Sequence, residues 1–217
     1  MSITGELVTE TFDYAGGRQV TVYVPPDPPR AVVFAADGGW HTLRLGSALE
    51  AANAQATIIV GVHGMRNDEG RLKEYSPAFD AEHFASHEKF FVDDVGRWVR
   101  SRFRLDLPAE RTAVWGASVG GELALAMGFR HPDVYGAVFS ASPGGGYRPP
   151  AVMPGLLPRV YFVAGTQEPF FLNNATRWAD ALRDASAEVL LIERDGGHGG
   201  AFWAEEFPLM VAWAFGR

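Results

Sequence analysis

Six short apolar runs recur along the chain, and a longer segment with helical periodicity follows most of them. Runs of this length are typical of strands buried on both faces, as in a parallel sheet. The strand candidates are residues 31–36, 57–62, 112–115, 136–140, 160–164 and 188–192. The helix candidates are residues 46–54, 88–103, 119–129, 173–185 and 200–215. This alternation predicts an α/β fold, with a mostly parallel central sheet and helices on both faces.

The N-terminal segment has a different pattern. Residues 7–12 and 19–24 alternate apolar with polar side chains and flank Ala15-Gly16-Gly17. Two alternating runs around a glycine turn predict an antiparallel hairpin, which would lie at one edge of the sheet. The rest of the chain contains no internal repeat and no linker-like stretch. We therefore expect a single domain spanning residues 1–217.

Composition narrows the class of protein. A hydrophobic content of 47% is too high for a disordered chain, and a net charge of −7 argues against a nucleic-acid partner. The absence of cysteine excludes disulfides, thiolate metal sites and a cysteine nucleophile. The N-terminal residues lack the features of a signal peptide, and every apolar run is too short to cross a bilayer. We expect a cytoplasmic protein with a small-molecule substrate and no membrane partner, in an oligomeric state that the sequence leaves open.

A candidate nucleophile follows the third apolar run. Residues 116–120 form the motif Gly-x-Ser-x-Gly between a strand and a helix, which is the context of a nucleophile elbow. Gly116 and Gly120 permit a sharp turn that exposes the hydroxyl group of Ser118. The alternative is a glycine-rich turn with a capping serine. The spacing fits neither a dinucleotide fingerprint nor a phosphate-binding loop.

His198 is the candidate general base. It lies among four glycines after the last predicted strand, and hydrolases with this elbow have the order serine, acid, histidine. His131 also follows Ser118, but its Arg-His-Pro context indicates an exposed helix end. A loop histidine without a catalytic role is the alternative for His198.

Glu168 is the candidate acid, because it follows the predicted strand 160–164 and precedes the histidine. Asp195, on the histidine loop, and Asp180, in a predicted helix, are the competitors. Glu168 could otherwise be an acid that stabilises a helix N-terminus.

The oxyanion hole would combine two backbone amides. One belongs to Val119, directly after the nucleophile, and the other to the loop Asp37-Gly38-Gly39-Trp40. Gly39 is the favoured donor in this loop and Trp40 the second choice, with Trp40 also expected to wall the acyl pocket. A simple turn is the alternative interpretation of this loop.

A metal site is not expected. His83 and His87 are spaced by one helical turn, with Asp80 and Glu82 nearby, and could form a metal-binding pair. A solvated, polar helix start is favoured, because no third ligand cluster accompanies them.

With these segments placed, the chain resembles the putative esterase family, which includes enterochelin esterases, esterase D and mycolyltransferases. Residues 34–40 look like its Leu-Leu-Asp-Gly loop, and Arg71-x-x-Glu74-Tyr75-x-Pro77 is similar to its Arg-x-x-Glu-Tyr-x-Pro stretch. Residues 165–168 and 196–203 resemble its acid and histidine segments. The resemblance implies an α/β-hydrolase fold and a serine-esterase mechanism without a cofactor, with Ser118, Glu168 and His198 at the matching positions.

The sequence thus predicts a serine esterase that hydrolyses carboxylic esters through an acyl-enzyme intermediate. An acyltransferase or thioesterase with the same triad, or a non-catalytic binding protein on the same scaffold, are the alternatives. We expect Trp40, Asp37 and Arg71 to contact the substrate. A solvated surface charge is the alternative, and the favoured, interpretation of Arg71 when it is taken alone. The connections 63–87 and 142–158 both leave the carboxyl ends of predicted strands and should shape the pocket.

Overall fold

A computed structural model describes residues 3–216, so Met1, Ser2 and Arg217, at the ends of the predicted domain, lie outside the described residues. Its centre is one eight-stranded sheet. The strands are β1 (Glu6–Phe12), β2 (Arg18–Val24), β3 (Ala31–Ala35), β4 (Thr57–Val62), β5 (Thr112–Ala117), β6 (Ala137–Ala141), β7 (Arg159–Gly165) and β8 (Val189–Arg194). Their order is β1-β2-β4-β3-β5-β6-β7-β8.

The strand directions confirm the predicted sheet. The pairs β1–β2 and β2–β4 are antiparallel, and all other neighbours are parallel. The N-terminal hairpin therefore forms one edge. The carboxyl ends of β3, β5, β6, β7 and β8 lie side by side at one end of the sheet, where an α/β fold binds its ligands.

Eight α-helices surround the sheet in the described part of the chain. They are α1 (Trp40–Ala51), α2 (Asp68–Tyr75), α3 (Ala81–Lys89), α4 (Gly96–Phe103), α5 (Val119–Arg130), α6 (Pro169–Asp184), α7 (Phe202–Glu205) and α8 (Phe207–Phe215). A π-helical segment, Phe90–Val95, joins α3 to α4. Among residues 3–216, no helix is both long and apolar enough to cross a lipid bilayer.

The helices differ from the prediction at several points. Helix α6 begins four residues before the predicted start at position 173, and the predicted helix 88–103 consists of the end of α3, the π-helical segment and α4. Helix α1 begins at Trp40, six residues before the predicted start at position 46, because its buried face already includes Thr42. The connection predicted at 63–87 contains α2 and most of α3, whose polar sequences carry a weak periodic signal but begin with capping side chains of Asn67 and Asp80. The predicted helix 200–215 is two helices, α7 and α8, which meet at Glu206.

Two apolar cores lie on opposite faces of the sheet. Side chains of α1, α7 and α8 pack on one face, and those of α3 to α6 pack on the other. Alternate residues of one strand enter different cores, as Val33 and Phe34 of β3 do. The predicted cover of helices on both faces is thus confirmed.

A buried polar cluster joins the hairpin to α2. Arg18 donates two hydrogen bonds to Glu74, at 2.9 and 2.7 Å, and each side chain is only 6% exposed. His87 lies beside this pair, with its Nδ1 3.9 Å from a Glu74 oxygen, and packs against the rings of Tyr14 and Tyr75. Neither ring nitrogen of His87 has a hydrogen-bond partner within residues 3–216. Burial, assisted by the charge of Arg18, lowers the pKa of His87 to about 3.

This placement corrects the expectation of a solvated helix start. His83 is exposed and pairs with Asp80 at 2.9 Å, as a polar helix start would, but His87 belongs to the core. In the part of the chain that the structure describes, no group of three or more His, Asp or Glu side chains could hold a metal ion.

We predict that His87 makes the fold sensitive to acid. An unfolded histidine takes up a proton below about pH 6.5, whereas His87 in the fold does so only near pH 3. Stability is therefore retained above pH 6.5 and lost as the pH falls, by about 1.4 kcal/mol for each pH unit. The charged or titratable groups that face the ring are Glu74, Arg18, Tyr14 and Tyr75. Urea unfolding at pH 7 and pH 4.5 measures this loss. Between the two pH values, the free energy of unfolding should fall less in His87→Leu than in the parent protein.

His83→Gln is the matched control, since it removes an exposed histidine from the same helix. It should retain the acid sensitivity of the parent protein. Equal pH slopes for His87→Leu and the parent would contradict the prediction.

Candidate active site

Ser118 occupies a strained turn between β5 and α5. Its backbone has φ 58° and ψ −125°, a region that non-glycine residues rarely adopt. A side chain at Gly116 would place Cβ 1.9 Å from the carbonyl oxygen of Gly120, so only glycine fits there. The Ser118 amide also donates to the carbonyl of Ala141 at 2.9 Å, which ties the turn to β6. The predicted strand–turn–helix context of the nucleophile elbow is present.

The imidazole of His198 lies against this serine. Its Nε2 is 3.0 Å from Ser118 Oγ. The ring of Phe171 stacks on the imidazole, with centroids 3.7 Å apart, and the edge of Trp203 contacts it at 5.0 Å. These two aromatic rings limit the orientations that the imidazole can take.

Glu168 completes a continuous path of hydrogen bonds. It follows β7 at the start of α6, its side chain is buried, and its Oε2 is 2.6 Å from His198 Nδ1. A carboxylate can only accept, so Nδ1 carries the proton and Nε2 directs its lone pair toward Ser118. The structure therefore brings Ser118, His198 and Glu168 together.

The competing residues lie elsewhere. Asp195 accepts hydrogen bonds from Thr166 and Gln167, and no bond joins it to His198. Asp180 pairs with Arg183 on the exposed side of α6. His131 is not simply exposed, because it contacts Glu88 at 2.9 Å and its side chain is 29% exposed. Asp195, Asp180 and His131 therefore pair with residues outside the path from Glu168 through His198 to Ser118.

The loop after β3 packs directly on the elbow. A Cβ on Gly120 would lie 3.2 Å from Asp37 Oδ2, which shows how close the loop comes. Gly39 has φ 74° and forms the N-cap of α1. Within residues 3–216, the amides of Gly39 and Val119 donate no hydrogen bond to the protein. Their role as oxyanion donors stays a prediction.

Asp37 and Arg71 contact each other. Arg71 donates from Nε and Nη2 to the two carboxylate oxygens of Asp37, at 2.8 and 2.7 Å. The amide of Asp37 donates to the hydroxyl of Tyr75 at 3.1 Å. Helix α2 therefore holds the loop that leads to Gly39. Both charged residues were expected to contact substrate. Their pairing was not predicted, because α2 itself was not predicted.

The side chain of Trp40 is exposed to solvent beside this loop. It is 66% exposed, directly follows Gly39, and has the guanidinium of Arg44 5.7 Å from its ring centre. Its position is compatible with the predicted pocket wall, and its contact with substrate stays a prediction.

Sequence reasoning missed Ser142, a fully buried residue that directly follows β6. Its hydroxyl donates to Glu168 Oε1 at 2.5 Å and accepts from Trp203 Nε1 at 2.8 Å. The only available signal was its place after a predicted strand, since the carboxyl ends of neighbouring parallel strands meet. Trp203 lies in the predicted helix 200–215 and ends the segment that resembles the family's histidine segment, but its contact with Ser142 was not predicted.

Solved structures share this fold. A ferulic acid esterase superposes with a TM-score of 0.75 at 18% identity, over 99% of both chains. The enterobactin esterase of Shigella flexneri has a TM-score of 0.80 at 17% identity, over 100% of this chain and 60% of its own. A ferulic acid esterase of Anaeromyces mucronatus has a TM-score of 0.75 at 16% identity, over 98% of this chain and 91% of its own. At these identities the likeness shows the α/β-hydrolase fold.

Sequence comparison identifies the family. No curated protein sequence matches the chain. The family model described as putative esterase matches residues 15–153, which is more than half of the chain and includes the elbow and the loop after β3. The chain therefore belongs to the putative esterase family and is a hydrolase of carboxylic esters.

Proposed function

We propose that the chain is a serine esterase, working as one domain over residues 1–217, in which Ser118 is the nucleophile, His198 the general base and Glu168 the acid. The observation that carries this proposal is the unbroken path from Glu168 Oε2 through His198 to Ser118 Oγ, at 2.6 and 3.0 Å. The cytoplasmic location and the absence of nucleic-acid and membrane partners stay predictions.

The first half of the reaction forms an acyl-enzyme. Ser118 Oγ attacks the ester carbonyl as His198 Nε2 takes its proton, and Glu168 stabilises the resulting imidazolium. The amides of Val119 and Gly39 hold the oxyanion, and each such donor contributes about 3 kcal/mol to transition-state stabilisation. His198 then gives the proton to the leaving alkoxide.

The second half repeats the path with water. His198 takes a proton from water, the hydroxide attacks the acyl carbonyl, and Ser118 leaves with the proton returned. All of these steps use side chains and amides of the chain itself. An acyltransferase or thioesterase would share the first half and differ in the acceptor or the leaving group.

We propose that the preferred esters contain an aromatic acyl group. Ferulic acid esterases are among the solved structures with this fold, and another such structure contains 2,3-dihydroxy-N-benzoyl-serine. On this chain, Trp40 follows the oxyanion loop, and the exposed ring of Phe170 contacts Phe171, which stacks on His198. Aromatic rings next to the oxyanion loop and next to the ring that stacks on His198 favour a planar acyl group.

A fluorophosphonate should label Ser118 stoichiometrically in the folded protein, because the histidine activates this hydroxyl. Mass mapping of the modified peptide checks the site, and Ser118→Ala should abolish both labelling and ester turnover while leaving the fold intact. Turnover that survives in Ser118→Ala would contradict the proposal. Product analysis with added alcohols then separates hydrolysis, which yields free acid alone, from transfer.

Replacing Glu168 should lower kcat far more than replacing Asp195. Glu168→Gln leaves a side chain of the same shape that favours the wrong tautomer of His198, so we expect kcat to fall by about 10³-fold or more. Asp195→Asn is the matched control and should change kcat by less than about threefold, since Asp195 does not contact the histidine. Steady-state hydrolysis of an aryl ester measures both. A larger loss in Asp195→Asn would reassign the acid.

Arg71→Lys tests whether Arg71 shapes the loop or contacts the substrate. Lysine cannot reproduce the two-point contact with Asp37, so a shaping role predicts that kcat falls roughly tenfold with KM nearly unchanged. Arg66→Lys, at an exposed arginine of the same connection, should have little effect. A raised KM with unchanged kcat in Arg71→Lys would instead support direct contact with substrate.

A further inference from the structure

We infer that Ser142 is a positioning residue that holds the catalytic acid, with Trp203 fixing the direction of its proton. The inference rests on the proposed function, because it assigns Glu168 as the acid. Ser142 does not touch the reacting atoms and acts through Glu168.

The backbone of Ser142 is held in an unusual conformation. Its φ is 45°, and its amide donates to the carbonyl of Val163 at 2.7 Å, which anchors it between β6 and β7. Three of the seven non-glycine residues with positive φ in the described chain belong to this site, namely Asp37, Ser118 and Ser142. Such conformations persist where the surrounding structure imposes them, and they cluster at functional sites.

The proton of the Ser142 hydroxyl has only one direction. The indole Nε1 of Trp203 can donate but not accept, so the bond of 2.8 Å to Ser142 Oγ uses a lone pair of the serine. A carboxylate can accept but not donate, so the hydroxyl proton goes to Glu168 Oε1. The two hydrogen bonds therefore run in one direction, from Trp203 through Ser142 to Glu168.

These hydrogen bonds give the two oxygens of Glu168 different partners. Oε1 accepts from Ser142 and from the amide of Gly165, at 2.5 and 2.6 Å. Oε2 is then presented to His198 Nδ1. With Oε1 held by two donors, rotation of the carboxylate away from the histidine would break both bonds inside a buried site.

The alternative role for Ser142 is structural, as a satisfied polar residue in the core. The fold provides a matched comparison in Ser140, another fully buried serine, two residues earlier on β6. Its hydroxyl donates to the carbonyl of Gly121 at 3.1 Å and does not contact the triad. Loss of a buried serine hydroxyl can therefore be separated from loss of the contact with the acid.

The test is a double-mutant cycle between Ser142→Ala and Glu168→Gln, read by kcat, KM and the rate of fluorophosphonate labelling. We expect Ser142→Ala to lower kcat by about 10- to 100-fold with KM within about twofold, and to add almost nothing in the Glu168→Gln background. Ser140→Ala should keep kcat within about threefold of the parent protein. The inference would be overturned if the loss of kcat in the double variant equalled the product of the two single losses. Equal losses of kcat in Ser140→Ala and Ser142→Ala would also overturn it.

Trp203→Phe keeps the inference testable if Ser142→Ala does not fold. It removes the indole donor and retains a ring beside His198. We expect a smaller loss of kcat that also vanishes in the Glu168→Gln background; a loss of equal size in both backgrounds would overturn the inference. Failure of the parent protein to label at Ser118 would instead overturn the proposed function, and the role of Ser142 with it.

Discussion

The site depends on one geometric constraint, the alignment of parallel strands at their carboxyl ends. Residues 37–39, 118, 142, 168 and 198 are distant in sequence, yet each follows one of five adjacent strands. Two apolar cores hold the sheet from opposite faces, so the strand ends have little freedom to separate. Hydrogen bonds between neighbouring loops then complete the arrangement, for example from the Ser118 amide to Ala141.

Fixed donors and acceptors surround the nucleophile. The left-handed backbone of Ser118 costs about 1–3 kcal/mol, which the packing of β5 and α5 must offset. In this conformation, the Ser118 hydroxyl faces the imidazole of His198. The Val119 amide donates no hydrogen bond to another group of residues 3–216. Arg71 and Tyr75 hold the loop that leads to Gly39. Such prior arrangement of polar groups lets a transition-state charge be stabilised without reorganising the protein.

Sequence reasoning predicted the parts of the molecule that local patterns determine. Apolar runs identified the sheet, and the glycines around Ser118 and His198 indicated the turns at which the proposed catalytic residues lie. It did not predict two contacts between distant segments that no motif marks. The Asp37–Arg71 pair spans 34 residues, and the Ser142–Glu168 bond spans 26. Neither residue type nor spacing reveals such pairs, and the polar sequence of α2 concealed the helix that supplies Arg71.

A crystal structure of the protein after reaction with an aryl phosphonate would test the proposed catalytic site. This site predicts the phosphorus atom on Ser118 Oγ and one phosphonyl oxygen about 2.7–3.1 Å from the amides of Val119 and Gly39. It also predicts that His198 still bridges Ser118 and Glu168. A phosphonate attached to another residue, or an oxygen that faces solvent instead of the two amides, would contradict it.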